Sequence, residues 1–392
     1  MGCVTTLGRI GRYVNRFSGR FWPVLVILLA GGFATSGCGG SAPTKPATAA
    51  PADPVVKQAQ AEVLTQLSPS TAYDGPKTGP RAVTGKLIVF VAADVSNGGI
   101  AGVAQGVQQA TTAIGWKLRI LDGQASVAGR RRAMQEALAL KPDGIILGGF
   151  DATEQAPAMR KAAAAHIPVV GWHAGAKPGP DRDAGLFTNV STDPLAVARL
   201  ASDYVIAQSG GRADAVIFYD SQFQIAVEKA QAMKTALERC RQCAVLRMVD
   251  VPIAQAPERM PALLALLLRR FGARLTYLLA INGNYFATSA AALFSLGKSG
   301  ADPPFAVAAG DGDASEFERI RSLDYQAASI AEPLYLQGWQ LVDELNRALN
   351  HDGPSGYVAP PRLITRADVP SGGVFDPNAP YREDYRRIWG AQ

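Results

Sequence analysis

Histidine and cysteine are scarce in this chain, which has three histidines and four cysteines among 392 residues. A zinc site would need two ligands besides a pair of cysteines, and His166, His173 and His351 show no spacing that would supply them. Cys240 and Cys243 fall at the end of a predicted helix, whereas a redox-active CxxC pair is activated at a helix start. In an oxidising compartment we expect them to form a small structural disulfide.

Motifs of the common enzyme classes are also absent from the sequence. It contains no GxSxG motif with a placed histidine, no HExxH motif and no P-loop. Gly310-Asp311-Gly312 is a loop signal without the longer pattern that cradles a nucleotide. Carboxylates at strand ends could be read as a hydrolase pair, but nothing in the sequence sets their separation. We therefore expect neither an enzyme nor a cofactor.

Charged residues make up only 18% of the chain, and the formal net charge is +6. The excess positive charge lies towards the two ends, in the arginines from Arg9 to Arg20 and from Arg382 to Arg387. The body of the chain shows no basic face with interleaved aromatic residues. Nucleic-acid binding is therefore not expected.

The first residues have the pattern of an export signal, which we assign to residues 1–37. A basic stretch precedes the apolar run Phe21–Phe33, which is too short to span a bilayer comfortably and ends in small residues. The following residues Ala34–Cys38 resemble the lipobox of bacterial lipoproteins, which makes Cys38 a candidate lipidation site. Ordinary cleavage nearby, or retention of the segment as an anchor, is the alternative. In each case the product is expected in the periplasm or at the cell surface.

Residues 38–84 are rich in Pro, Ala, Thr and Gly, a composition typical of a flexible tether. Val55–Leu67 within them has helical character but no obvious partner. We expect residues 38–84 to lie outside the globular fold. Residues 371–392 are expected to form a C-terminal tail.

The body of the chain is organised around Lys141–His173. Its apolar runs Gly144–Leu147 and Ile167–Val170 are predicted as buried strands that flank an amphipathic helix, which makes a parallel β-α-β unit. Ligands bind beyond the carboxyl ends of the strands in such sheets. This rule directs attention to Asp151 after the first strand and to Trp172-His173 after the second.

The same alternation extends in both directions along the chain. One β-α series runs from Lys86–Ala92 to Leu186–Val190, with a loop at Ala174–Gly185, and a second runs from Asp214–Tyr219 to Pro360–Arg366. Two series of similar length predict an α/β protein with two related lobes, each built on a parallel sheet. There is no literal sequence repeat.

Five short stretches carry a family resemblance. They are Asp94–Asn97, Lys141–Leu147, His166–Val170, Ala280–Asn282 and Gly310–Gly312. In order and spacing they resemble the type I periplasmic solute-binding proteins, the ribose-binding-like family of bacterial ABC importers. Sugar-responsive repressors share that fold but begin with a helix-turn-helix, where this chain has a signal and a tether.

The resemblance implies two Rossmann-like lobes joined by a hinge of three crossovers, near Val190, Glu332 and Asp352. The first lobe would comprise residues 85–190 and 333–352, and the second residues 191–332 and 353–370. The cleft between them would hold one small solute, which hinge closure would bury. The protein would act as a monomer.

On the first lobe, we expect ligand contacts from Asn97 and His173 by resemblance, and from Asp151 and Trp172 because they follow buried strands. Gly98-Gly99 replaces aromatic residues of the family and would leave the pocket floor open. His173 and Ala174 replace an Asp and an Arg, so a charged clamp is lost and Trp172 with His173 offers an aromatic surface and a titratable donor. Alternatively, Asn97 caps a helix and Trp172 belongs to the core.

On the second lobe and hinge, the resemblance implies contacts from Phe223, Lys229, Asn282, Asp311 and Glu332. Lys229 takes the place of an Arg, and Glu332 takes the place of a Gln and would add a second acid. The alternatives are a solvated lysine at 229, a helix-start contact at Phe223 and a helix cap at Asp311.

The predicted function is capture of a small polar solute, a sugar or polyol by resemblance, and its delivery to an ABC permease. A cationic or amino-acid-like solute is the alternative ligand, which acids and aromatic rings would bind by charge pairing and cation–π contact. Another alternative is a ligand sensor that docks to a receptor kinase or chemoreceptor.

Overall fold

The computed structural model describes residues 53–67 and 73–391. The predicted signal peptide and the candidate lipidation site Cys38 lie outside the described residues. Within the described ranges, no helix is both long and apolar enough to cross a membrane.

Two sets of strands and helices alternate along the chain, as the apolar runs predict. The strands are β1 (Leu87–Ala92), β2 (Lys117–Asp122), β3 (Gly144–Gly148), β4 (Val169–Trp172), β5 (Gly179–Asp181), β6 (Leu186–Val190), β7 (Asp214–Tyr219), β8 (Ala244–Asp250), β9 (Tyr277–Ala280), β10 (Phe305–Ala308), β11 (Gln326–Ala331) and β12 (Arg362–Thr365). The helices are α1 (Pro54–Leu67), α2 (Gly98–Ala113), α3 (Val127–Ala139), α4 (Ala156–Ala164), α5 (Pro194–Gln208), α6 (Gln224–Glu238), α7 (Ala256–Phe271), α8 (Ser289–Ser295), α9 (Ala314–Ser322), α10 (Leu334–Leu349) and α11 (Tyr381–Trp389).

The strands form two sheets, one in each lobe. The first sheet has the order β2-β1-β3-β4-β6-β5, and the second has the order β12-β11-β10-β9-β7-β8. All neighbouring strands are parallel except β5 with β6 and β11 with β12, which are antiparallel edges. The central strands are apolar along their whole length because helices cover both faces. The predicted α/β fold with two parallel-sheet lobes is confirmed. The stretch predicted as a loop, Ala174–Gly185, contains the short edge strand β5.

The order of the strands in each sheet creates a crevice in which a ligand could bind. In the first sheet, β1 lies between β2 and β3. The connection after β1 therefore runs towards one edge of the sheet, and the connection after β3 runs towards the other edge. In the second sheet, β7 lies in the same way between β8 and β9. Loops that follow such strands diverge and leave a crevice at the carboxyl edge of the sheet. The carboxyl edges of both sheets contribute walls to one cavity between the lobes.

Helix α10 packs on helix α2 in the core of the first lobe. Gly106 and Gly338 let the two backbones touch, because a Cβ atom at Gly106 would lie 2.6 Å from the carbonyl oxygen of Tyr335, and one at Gly338 would lie 2.6 Å from Gly106. Leu336 and Trp339 of α10 belong to the same apolar cluster as β1 and β3. The chain therefore returns to the first lobe after β11.

The N-terminal part of the described chain is not a free tether. Val56, Ala59 and Val63 of α1 are buried against α5 in the core of the second lobe. Their spacing makes one apolar stripe, which needs a partner surface. Residues 73–84 pack on the first lobe, where Asn346 donates a hydrogen bond to the Pro80 carbonyl at 3.0 Å. The expected tether over residues 38–84 is therefore wrong for α1 and for residues 73–84.

The expected C-terminal tail is also wrong, because α11 is part of the first lobe. Tyr381, Tyr385 and Trp389 are buried, and the Trp389 ring stacks on Trp339 with centroids 5.5 Å apart and planes 3° from parallel. The Trp389 indole donates a hydrogen bond to Asp343 at 2.8 Å. These aromatic residues recur every four positions, so their side chains share one face of the helix.

Cys240 and Cys243 are joined by a disulfide in the turn between α6 and β8. Cys240 is 2% exposed and packs in the core of the second lobe, and neither cysteine lines the cavity between the lobes. The disulfide links two residues that are three positions apart in one short turn.

Replacing Trp389 with alanine tests whether α11 is an integral part of the fold. We expect the free energy of unfolding to fall by about 3–5 kcal/mol, because the change leaves a cavity against Trp339 and removes a hydrogen-bond donor from buried Asp343. Urea unfolding measures this loss. Glu383→Ala, on the exposed side of the same helix, is the control, and an equal loss in both variants would contradict the assignment.

Candidate ligand-binding site

A cavity lies between the two lobes at the carboxyl edges of both sheets. The cavity has a volume of about 90 Å³. Its walls include seven of the nine residues predicted to contact a ligand: Asn97, Trp172, His173, Phe223, Lys229, Asn282 and Asp311. The other two, Asp151 and Glu332, lie behind the wall. The cavity has the scale of one compact solute.

Asn97 and Asn282 occupy equivalent places in the two lobes. Asn97 follows β1, and its Oδ1 accepts a hydrogen bond from the Ile100 N–H at 3.2 Å, which caps α2. Asn282 follows β9, and its Oδ1 accepts from the Asn284 N–H at 3.2 Å. Each side chain thus caps the turn that follows it and keeps its NH₂ group unbonded within the described chain. Capping and a place in the cavity wall coexist in both residues.

The carboxylate of Glu332 is the centre of a buried polar cluster at the hinge. Its Oε1 accepts from Lys229 Nζ at 3.2 Å, and its Oε2 accepts from His173 Nε2 at 3.0 Å and from Gln337 Nε2 at 3.1 Å. Burial would raise the pKa of Glu332, but neighbouring His173 and Lys229 lower it below its ordinary value. Glu332 has no exposed surface, so it does not add a second acid to the pocket as expected.

His173 is held neutral in this cluster. Burial lowers its pKa, and the Lys229 ammonium adds to the effect, which together outweigh the attraction of Glu332. In the neutral ring, Nε2 carries the proton that it donates to Glu332, and Nδ1 is an acceptor. Lys229 is buried and paired, so it is not the solvated lysine of the alternative interpretation.

Trp172 supports the hinge from behind the cavity. Its ring stacks on the His173 ring with centroids 3.9 Å apart, and its indole donates to Gln337 Oε1 at 2.9 Å. The side chain is only 2% exposed. The expected open aromatic surface is therefore covered by the imidazole, and Trp172 behaves mainly as a core residue.

His173, Asp311 and Glu332 place one possible metal ligand each within 4.8 Å of one another. The Lys229 ammonium already pairs with Glu332 at this point and supplies the positive charge that a cation would bring. Of the two carboxylates in this group, that of Glu332 is therefore already neutralised.

Asp311 is the acid that the cavity leaves without a partner. Its carboxyl group makes no hydrogen bond to any described residue, and it is 6% exposed. Burial raises its pKa well above the ordinary value; Lys229 opposes this, while Glu332 adds to it. Asp311 is therefore poised to bind a hydroxyl group or a cation.

Gly98-Gly99 does not leave the pocket floor open, contrary to expectation. A Cβ atom at Gly99 would lie 2.4 Å from Asp311 Oδ2, and one at Gly98 would lie 2.2 Å from Asp313 Oδ2. The glycines thus allow the second lobe to approach the start of α2 directly. The space that an aromatic side chain would fill is taken by carboxyl groups.

Arg130 is a wall residue that the sequence did not reveal. It lies in the first turns of α3, is 2% exposed, and donates from Nε to Glu154 Oε1 at 2.9 Å. Its guanidinium lies over Phe150 of the first lobe and Phe223 of the second, 5.8 Å and 5.6 Å from the ring centroids. An arginine thus reaches the cavity from α3 although Ala174 stands where the family has one. Its place just after Ser126, a cap at the carboxyl edge of the sheet, is the signal that could have found it.

Asp151 joins the two lobes directly. Its Oδ2 accepts from the Gln224 N–H at the start of α6, at 2.9 Å, where the helix dipole favours negative charge. Its Oδ1 is buried without a hydrogen-bond partner. Burial raises the pKa of Asp151, and the bond from Gln224 opposes this. Asp151 therefore supports closure from outside the cavity wall.

Replacing Lys229 with methionine tests the charge balance at the hinge. At pH 7 we expect the free energy of unfolding to fall by about 3–5 kcal/mol, because Glu332 is left as an unpaired buried carboxylate. Its folded-state pKa would then lie above the unfolded value, so lowering the pH towards 5 should recover part of the loss. In the unmodified protein the pKa of Glu332 is lowered by folding. Its ionised carboxylate therefore stabilises the fold at neutral pH, and this stabilisation is lost as the pH falls.

Urea unfolding at both pH values measures the effect of Lys229→Met. Lys234→Met is the matched control on α6, because that lysine forms only an exposed pair with Glu238. A second variant, Lys229→Met with Glu332→Gln, should regain stability. A single variant as stable as the control would show that the pair is not required.

Comparison with known proteins places this geometry in a family. Residues 88–353 match the family model of the periplasmic binding protein domain. No sequence among the curated proteins matches the chain.

Solved structures share the fold at low sequence identity. An ABC transporter solute-binding protein from Agrobacterium vitis, bound with alpha-D-tagatopyranose, is 16% identical with a TM-score of 0.65, and the match covers 73% of this chain and 96% of that one. The binding component of the arabinose ABC transporter from Shewanella sp. ANA-3, bound to L-arabinofuranose, is 17% identical with a TM-score of 0.62, covering 77% and 95%. The XylFII–LytSN complex is 16% identical with a TM-score of 0.61, covering 73% and 100%.

The family match extends from β1 to just beyond α10 and includes every predicted wall residue of the cavity. Its limits enclose both sheets except β12, together with the cleft between them. The chain belongs to the periplasmic binding protein family, whose members bind solutes and are not enzymes.

Proposed function

We propose that this protein captures a neutral sugar or polyol outside the cytoplasm by closing its two lobes, and delivers it to an ABC permease. The observation that carries the proposal is the interlobe cavity, in which the two cationic wall residues, Arg130 and Lys229, are already paired with acids. Arg130 is neutralised by Glu154 and Lys229 by Glu332, while His173 is neutral. A ligand therefore needs no negative charge to be bound.

The unpaired groups of the cavity suit hydroxyl groups. Asn97 and Asn282 keep NH₂ donors, His173 offers Nδ1 as an acceptor, and the Asp311 carboxyl group can accept or donate according to its protonation. Each hydroxyl of a sugar both donates and accepts, so such a mixed set can satisfy several hydroxyls at once. The sugars bound by the Agrobacterium vitis and Shewanella proteins are neutral, which supports the same class here.

We infer that the first lobe comprises residues 85–190 and 333–352, and the second lobe residues 191–332 and 353–370. We also infer that the N-terminal and C-terminal parts of the described chain add to these lobes. Helix α1 would belong to the second lobe, and residues 73–84 and α11 to the first. Crossovers near Val190, Glu332 and Asp352 would form the hinge. Export by residues 1–37 and lipidation of Cys38 would hold the monomeric protein outside the cytoplasmic membrane.

Two other functions have specific support. Asp311, which lacks a partner, could pair with a cationic or amino-acid-like solute. The XylFII–LytSN complex, in which a similar fold is bound to a second protein, favours a ligand sensor that docks to a receptor kinase or chemoreceptor. Both alternatives use the same cavity. The first differs from the proposed function in the ligand, and the second differs in the protein that binds the closed form.

Thermal unfolding of the protein against a panel of sugars, polyols, amino acids and quaternary amines tests the ligand class. Binding to the folded state alone raises Tm, and a ligand at 100 times its Kd adds about 2.7 kcal/mol to the free energy of unfolding. We expect a rise with a neutral sugar or polyol, and a weaker rise for Asn282→Ala and Asp311→Asn. Asn378→Ala, at an exposed position, is the control. A rise with amines alone would contradict the proposal.

The Gly99→Ala variant tests closure. The added Cβ atom would meet Asp311 Oδ2 at 2.4 Å, so the lobes could not approach as closely. We expect affinity for the sugar found in the panel to fall by about tenfold, equivalent to about 1.4 kcal/mol, with little change in Tm of the free protein. Titration calorimetry measures the affinity. Gly353→Ala, where a Cβ atom meets nothing within 4 Å, should bind normally; unaltered binding by Gly99→Ala would refute the closed arrangement.

A further inference from the structure

A groove on the outer side of the cavity has the properties of a second saccharide subsite. This outer groove lies between α2 of the first lobe and the starts of α7 and α9 of the second, with Tyr335 at its hinge end. Its volume is about 920 Å³, against about 90 Å³ for the cavity. We propose that the ligand extends from the cavity into the outer groove, and is a disaccharide or glycoside. This inference rests on the proposed function.

The two spaces share one boundary. Asp94, Asn97 and Ala125 of the first lobe, and Ile253 and Ala254 of the second, border both the cavity and the outer groove. A sugar ring in the cavity is therefore adjacent to the groove, and a substituent on that ring has a path outwards between the lobes. The cavity itself has room for one ring.

Small residues on both lobes leave the outer groove wide. Ala101 stands on the α2 side, Ala287 and Ala314 stand opposite on the second lobe, and Gly373 lies beside Ala314. A Cβ atom at Gly373 would meet nothing closer than 3.5 Å. A larger side chain at these positions would fill the space that a second ring would occupy.

Neutral amide groups supply hydrogen-bonding capacity along the groove. Tyr335 donates to Gln105 Oε1 at 2.9 Å, and Arg132 donates to Gln124 Oε1 at 3.1 Å, which leaves the NH₂ groups of both glutamines for a ligand. The side-chain amide of Asn284 makes no hydrogen bond to the described residues. These groups match hydroxyl and ring oxygens.

The charges of the groove argue against an anionic substituent. No lysine or arginine contributes to its wall within the described residues. Its acids, Asp94 and Asp313, accept hydrogen bonds from Ser96 and Ser315, both at 2.7 Å, and Asp313 also caps α9. An anion would find no partner there, and the acids are engaged locally. A neutral polyhydroxylated extension fits this wall.

Titration calorimetry with matched ligands tests the subsite. Glucose and galactose would be compared with their methyl glycosides and with cellobiose, lactose and melibiose, at constant pH and salt. We expect a disaccharide or glycoside to bind at least about tenfold more tightly than its parent monosaccharide, as one or two added hydrogen bonds would produce. Equal or weaker binding of every extended ligand would overturn the subsite while leaving the proposed function in place.

Variants separate the outer groove from the cavity. Ala101→Trp should fill the groove and remove the advantage of the extended ligand, with monosaccharide binding unchanged. Gln108→Trp, two turns further along α2 and outside the groove, is the matched control. The double variant Gln105→Ala with Asn284→Ala should weaken the extended ligand alone.

The outcomes of this experiment are distinguishable. If Ala101→Trp and the double variant bind the extended ligand as the unmodified protein does, the subsite is overturned. If no saccharide of either length binds, both the subsite and the proposed function are overturned. Thermal unfolding of each free variant shows whether a loss of binding reflects a loss of fold.

Discussion

The cleft depends on the hydrogen bonds and the ion pair of the buried Glu332 carboxylate. It lies at a crossover between the lobes and is bound by His173 from the first lobe, Lys229 from the second and Gln337 from α10. A carboxylate with no exposed surface is costly unless its charge and lone pairs are satisfied. The fold meets this requirement with one lysine and two neutral donors. As a result, the charges of Glu332 and Lys229 cancel at the back of the cavity, and the carboxyl group of Asp311 is left for the ligand.

Closure of the lobes follows from a second constraint, the small size of the residues at the start of α2. Gly98 and Gly99 allow Asp311 and Asp313 to approach that helix, and Asp151 reaches across to the start of α6. In each case a carboxyl group of one lobe faces the N-terminal end of a helix of the other, where the partial charge is positive. The contact of Asp151 with α6 is a hydrogen bond of 2.9 Å. Phe223 adds an apolar contact, because it packs against the cores of both lobes.

Much of the fold could be predicted from the sequence because buried parallel strands have a strong signal. Apolar runs such as Gly144–Leu147 are too short for helices and are bounded by turn residues, so β3 and its neighbours were identifiable. The wall residues Asn97, Asn282 and Asp311 were identifiable because they lie within five residues after the ends of such strands. The short edge strand β5 was missed because Gly, Pro and Asp dominate it and pairing with β6 alone makes it a strand.

Other features depend on three-dimensional neighbours that a single sequence does not reveal. Arg130 reaches the cavity only because α3 starts at the cleft, and the Glu154 that pairs with it follows a different strand. Trp172 is covered because His173 turns back upon it with a φ of 50°, which is uncommon for a non-glycine residue. In α11 the aromatic spacing was visible, but the many charged residues around it favoured a solvated tail.

The central claim is that a neutral sugar or polyol is captured by closure of the two lobes. Small-angle X-ray scattering of the protein, titrated with neutral sugars and with quaternary amines, tests this claim most directly. The account predicts that the radius of gyration decreases with a neutral sugar or polyol, saturates with one solute per protein, and does not respond to amines. A decrease with amines alone, or sugar binding without any decrease, would contradict it.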